Sequence, residues 1–181
     1  AIAPGYHSTI FPPYFVAGAL YSGFAMVLTI AIPLRWAFDL RNIITIRHME
    51  NAAKVMLAAG MLVAYCYIAE FFYAWYSGEP AERTVAWSRL VGPYAPAFYV
   101  TLACNVGVLQ LLWFRSVRRN MPVLFAVAIL VNVGMWLERF VIPVSGPARG
   151  YLPSSWNTAT LTWLDFALLF GSLGTFFALM F

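Results

Sequence analysis

The chain is 181 residues long, 62% hydrophobic and only 10% charged, with a mean hydropathy of +0.76. Soluble domains carry roughly 25% charged residues, so this composition belongs in a membrane. The net charge of +4 is small and dispersed, which excludes a nucleic-acid-binding role.

The first expected span is Phe11–Leu34, with Pro12 and Pro13 at its start, where a missing N–H costs little. Gly18 and Gly23, with Ala17, Ala19 and Ser22, predict a small-residue face for close helix packing. Arg35–Lys54 carries three Arg and one Lys among apolar residues and is expected to lie along the interface. Within it, His48 and Lys54 are expected to address lipid headgroups. The second span, Val55–Ser77, holds Glu70 deep inside an apolar run. A charge within a span costs at least about 2.5–3.5 kcal/mol, so such a group usually has a partner or a task. Tyr65, Tyr67, Tyr73 and Tyr76 flank it and could line a flat ring-binding surface or simply form an aromatic belt.

Gly78–Ala95, rich in Gly, Pro, Glu and Arg, reads as a loop. The third span, Pro96–Phe114, carries Asn105 and Gln110, and Arg115–Met121 is a basic link. The fourth span, Pro122–Val144, has Asn132 near its middle and Glu138–Arg139 towards its far end. After the loop Ser145–Asn157, the fifth span, Thr158–Phe181, has Asp165 about two turns from its start. The expected fold is an all-α, polytopic bundle of about five transmembrane helices. The first residues, AIAPGYHST, show neither an initiator Met nor a basic region before an apolar core, and read as the middle of a longer chain.

Arg35, Arg41, Arg47, Lys54, Arg115, Arg118 and Arg119 fall on one side of these spans. Arg83, Arg89 and Arg149, with Arg139 near them, fall on the other. The positive-inside rule then puts the N-terminus outside and the C-terminus inside. In that frame Glu70, Glu138, Arg139 and Asp165 all lie toward the outer side, with His7 just beyond it. Glu138 and Arg139 point about 100° apart on a helix, so each is expected to pair across helices, Arg139 with Glu70 or Asp165. The other reading of this cluster is a proton relay or quinol-facing site. Asp165 could equally be hydrated at the interface, and His7 could be a proton acceptor or an ordinary interfacial His. Asn105 and Asn132 read first as interhelical hydrogen-bond partners.

Two cysteines, Cys66 and Cys104, sit inside apolar spans and read as small buried apolar groups. They are too few to ligate an iron–sulfur cluster, which needs about four. The two histidines, His7 and His48, lie at opposite ends of the first span and so cannot share one haem. No resident metal is expected.

Three stretches together carry a resemblance: GYHSTIFPPYFVAGALYSGFAMVL, HMENAAKVMLAAGMLVAYCYIAEFFYAWYSG and YLPSSWNTATLTWLD. The chain resembles the NrfD-like family, the membrane subunits of polysulfide reductases, and within it is similar to the ActC subunit of bacterial alternative complex III. The resemblance runs over essentially the whole chain and covers the C-terminal half of such a subunit. It implies a multi-pass subunit of the bacterial inner membrane that binds no redox cofactor itself. It also implies a periplasmic iron–sulfur partner, multihaem cytochrome c subunits, a second NrfD-like subunit and surrounding lipid. Menaquinol or a related quinol would be oxidised near the outer surface, and the electrons would pass to the partners' iron–sulfur clusters and haem c.

Under that reading Glu70 or His7 would accept a quinol proton and Asp165 would relay it outward. Arg139 would be a fixed countercharge, and Tyr65, Tyr67 and Tyr73 would border the quinone. Two rival readings stand beside it. In one, Glu138, Asn132, Asn105 and Gln110 form a proton path without quinone contact; in the other, the bundle is a scaffold without chemistry.

Overall fold

A computed structural model describes residues 10–145 and 162–180 of the chain. All of its regular elements are helical. Four segments are long and apolar enough to cross a membrane: Phe11–Ala37, Ile46–Tyr76, Ala95–Trp113 and Met121–Ile142. A shorter apolar stretch of helix, Trp163–Ser172, follows them. The chain is thus a polytopic helical bundle.

Helix α1 (Phe11–Ala37) carries Pro12 and Pro13 in its first turn, as the sequence suggests. Arg35 reaches from its last turn to donate to the Ile44 carbonyl at 2.6 Å, which closes a tight reversal through Asp39–Ile44. Asp39 sits in the left-handed region at φ 48°, and Arg41 pairs with it at 3.1 Å. Helix α2 (Ile46–Tyr76) then starts earlier than the composition of 35–54 suggests. Its start is fixed by Thr45 and His48: the Thr45 hydroxyl accepts from the His48 N–H, and the His48 ring accepts from the Thr45 N–H. Such a reciprocal cap satisfies two otherwise orphaned donors. A short 3₁₀ turn, Leu40–Asn42, separates the two helices, and Lys54 turns to Glu50 at 3.4 Å. With 31 residues α2 is about 46 Å long, so its charged first turns extend beyond a hydrocarbon core of about 30 Å.

The stretch expected as a loop contains α3 (Pro80–Val91). Pro at its start, Glu82 in its first turn and Arg89 in its last complement the helix dipole. Helix α4 (Ala95–Leu102) begins the third span, which does not continue as α-helix. It widens into a π turn at Ala103–Gly107 and tightens into a 3₁₀ segment at Val108–Trp113. Basic α5 (Arg115–Arg119) leads into α6 (Met121–Ser145). Arg118 donates to the carbonyls of Leu112 and Trp113 at 2.5 and 2.9 Å, closing the end of the 3₁₀ segment. Helix α7 (Trp163–Met180) exposes every side chain described on it.

The core lies where α1, α2, the third span and α6 meet. Tyr21, Leu28, Met56, Val63, Leu109, Leu124 and Val131 are fully enclosed there. The close approaches are made by Gly60, where an added Cβ would stand 2.7 Å from Leu109 and Tyr21, and by Gly134, where it would meet Asn105 at 2.4 Å. Gly18 also faces α6, with Met135 at 3.1 Å from such a Cβ. Gly23, expected on the same packing face, has nothing within 4 Å: it lies five residues on from Gly18, well over a turn, and so points away.

Candidate functional site

Helix α6 turns one stripe inward, and Glu138 lies on it, 2% exposed. Tyr67 on α2 and Asn105 on the π turn converge on this carboxyl group. The Tyr67 hydroxyl donates to Glu138 Oε2. The Asn105 amide nitrogen lies 3.0 Å from the same oxygen and 3.0 Å from the Tyr67 hydroxyl. The π turn explains how Asn105 is held. A widened turn puts carbonyls out of step with the next helical donors, and the Tyr21 hydroxyl from α1 donates to the Asn105 carbonyl at 3.2 Å. Glu138 Oε1 and the Tyr14 hydroxyl are both buried without a well-formed hydrogen bond, although Tyr14 lies close to Glu138 and packs edge-on against Tyr67. Native interiors rarely leave such atoms over. Together they form a place where one proton can be taken up: a hydrogen on Oε1 could be donated to the Tyr14 oxygen, whereas an ionised Glu138 could accept from the Tyr14 O–H.

The second polar group joins α2 to α3. Arg89, 4% exposed, donates to Glu70 Oε1 at 2.5 Å, and the Glu70 side chain keeps 21% of its surface accessible. Tyr67, Glu70, Arg89, Thr101 and Glu138 line one cavity of about 10 Å³, roughly the space of a single water. The two carboxyl groups therefore border a common polar interior. On the other side of the Glu70 turn, Phe71, Trp75, Arg83, Trp87 and Leu90 line an open groove of about 350 Å³ between α2 and α3.

The structure distributes the remaining sequence candidates widely. Tyr73 is 48% exposed and borders the crevice beside Glu70 and Glu82. Tyr65 is 61% exposed on the far face of α2 and does not border these cavities. Arg139 pairs with neither Glu70 nor Asp165 among the described residues: its guanidinium stacks over Phe15 at 4.1 Å, a cation–π contact. Glu70 has Arg89 as its countercharge instead. Asn132 donates to the Thr29 hydroxyl at 3.0 Å, tying α6 to α1 about 9 Å along the helix from Glu138. Gln110 is exposed and bonded to the Val106 carbonyl at 3.1 Å. Asp165 accepts from the Thr162 N–H at 2.7 Å and its hydroxyl at 2.9 Å, so it caps the exposed start of α7. His7 lies outside the described residues. Sequence reasoning missed Arg89, Tyr14, Tyr21 and Thr101, all of which border or hold this polar interior.

No curated protein matches the chain. The family described as polysulphide reductase, NrfD, matches residues 2–149, a stretch containing α1 to α6 and both polar groups just described. The chain is therefore a membrane protein belonging to the NrfD family.

Proposed function

We propose that this chain is the quinol-facing membrane subunit of an electron-transfer complex of the alternative complex III type. In this reading it sits in the bacterial inner membrane, anchors a periplasmic iron–sulfur subunit and supports menaquinol oxidation and proton release at the outer face. Multihaem cytochrome c subunits and a second NrfD-like subunit complete the electron path, and this chain contributes no redox centre of its own. The observation that carries the reading is Glu138: a carboxyl group enclosed in the apolar bundle, held by Tyr67 and Asn105, and sharing a cavity with the partly accessible Glu70.

Quinol oxidation releases two electrons and two protons, and each hydroxyl must lose its proton to a positioned acceptor. Glu138 would hold a proton on its vacant oxygen. Glu70, with Arg89 fixing its orientation, would pass it to the accessible edge of the bundle. The groove lined by Phe71, Trp75 and Trp87 lies next to Glu70, offers flat apolar surface and supports ring binding at this end. An inward proton path has less support, because Asn132 is tied to Thr29 and Gln110 faces outward.

Glu138→Gln keeps the shape of the side chain and removes its proton chemistry. In the purified complex, menaquinol-driven reduction of the acceptor should fall at least about tenfold, while subunit content stays unchanged. Unaltered turnover in both Glu138→Gln and Glu70→Gln, with assembly intact, would overturn the proposal.

A further inference from the structure

At the opposite end of the bundle, Glu50 is 7% exposed and surrounded by cations. Arg119 Nε stands 3.0 Å from it, Lys54 Nζ 3.4 Å and Arg115 Nε 3.9 Å. These cations keep 51%, 52% and 67% of their side-chain surfaces accessible. Together with Arg47, Asn51 and Ile46 they line a cavity of about 500 Å³ between α2 and α5. Four cations against one carboxylate leave the cavity an excess of three positive charges.

Glu50 does not neutralise this group; it fixes the group's geometry. One buried carboxylate holds three flexible side chains together through Nε of two arginines and the lysine ammonium. The terminal nitrogens of both guanidinium groups take no part in those pairs, and they have the planar fork that matches phosphate oxygens. Arg47 makes no ion pair among the described residues. The first turn of α2, whose dipole favours anions, opens into the same cavity through Ile46. Ile46, 45% exposed, is among its lining residues, and Trp113 and Phe114, which precede Arg115 in the chain, are 58% and 65% exposed. A basic cavity between membrane helices, at the end of a span that carries exposed apolar side chains, has the chemistry of an anionic headgroup site.

We infer that Arg47, Lys54, Arg115 and Arg119, positioned by Glu50, bind a phosphate group, supplied by the headgroup of an anionic phospholipid whose chains lie along Ile46, Trp113 and Phe114. The site is independent of the quinol reading and lies at the other end of the molecule.

The test uses the full protein in the membrane assembly with which it is isolated, stripped of lipid in detergent. It is titrated with cardiolipin, with phosphatidylcholine and with inorganic phosphate, and bound mass is read by native mass spectrometry. Cardiolipin should bind at least tenfold more tightly than phosphatidylcholine, and Arg47→Gln/Arg115→Gln should lose at least tenfold of that affinity. Saturation by inorganic phosphate, with no preference between the lipids, would keep the phosphate site and assign it to a soluble anion. Equal binding of both lipids without phosphate binding, or full cardiolipin affinity in the double variant, would overturn the inference. If Arg115→Gln prevents assembly, Arg47→Gln/Lys54→Gln reads the same loss, because neither residue is buried.

Discussion

Tyr67 and Tyr65 stand two positions apart on α2, yet one is 5% exposed and the other 61%. Helical geometry separates such neighbours by about 200°, so four closely spaced tyrosines cannot all border one site. Tyr67→Phe removes the donor to Glu138 and the acceptor used by Asn105, and should lower stability in detergent by about 1–3 kcal/mol. Tyr65→Phe should change it by less than about 0.5 kcal/mol; denaturant titration of the purified assembly compares the two. Glu70 and Arg89 form a tighter test of the ion pair. Either Gln substitution alone should be strongly destabilising, and the double variant should recover about 1–3 kcal/mol relative to additivity. A coupling energy near zero would show that the pair does not hold α3 in place. Glu70 was legible in the sequence because a carboxylate inside an apolar run is costly. Its partner was not, because hydropathy says nothing about which of several arginines folds back.

Among the elements, the spans were the most legible, since length and apolar content nearly decide them. Helix α3 also left a signature, Pro at its start, acid in the first turn and Arg in the last, that was outweighed by the Gly, Pro and charge content of 78–95. The π turn left none: ACNVG reads like any helical stretch, and its widening depends on packing against Gly134 and Tyr21. Glycine spacing was similarly ambiguous, because the sequence marks small residues without saying which of them meets a neighbour. Gly60→Ala should cost about 1–3 kcal/mol through overpacking against Leu109 and Tyr21. Gly23→Ala, with open space around it and a gain in helix propensity, should be neutral or stabilising by up to about 1 kcal/mol. Equal effects would contradict the packing described here.

Among the described residues, the charged groups gather towards the two ends of an apolar bundle. Charge counting predicts that the Glu50 end faces the cytoplasm, and the same end carries the organised cation cluster. Asn42→Cys, in the turn between α1 and α2, should react with a membrane-impermeant thiol reagent only from the cytoplasmic side. Glu79→Cys, between α2 and α3, should react only from the outside. The native Cys66 and Cys104 are buried and should stay silent. The opposite labelling pattern would invert the molecule and move the proposed proton release to the other compartment. Four of the apolar helices bury a shared core, whereas α7 buries none of the side chains described on it, so how it packs in the membrane was not legible from its own hydropathy.

The wide turn at Ala103–Gly107 makes chain length itself a determinant of the polar cluster. Deleting one residue there would let that turn close to ordinary helical width, with the span still apolar and long enough to cross the bilayer. The helix on either side would keep its facing, because the widened turn is what accommodates the extra residue, but the residues within the turn would change theirs. Asn105 would then no longer reach both Tyr67 and Glu138 while staying bonded to Tyr21. A chain could thus match this one in every named polar residue and still lack the arrangement, so relatives are better compared by residue count across this span than by residue identity alone.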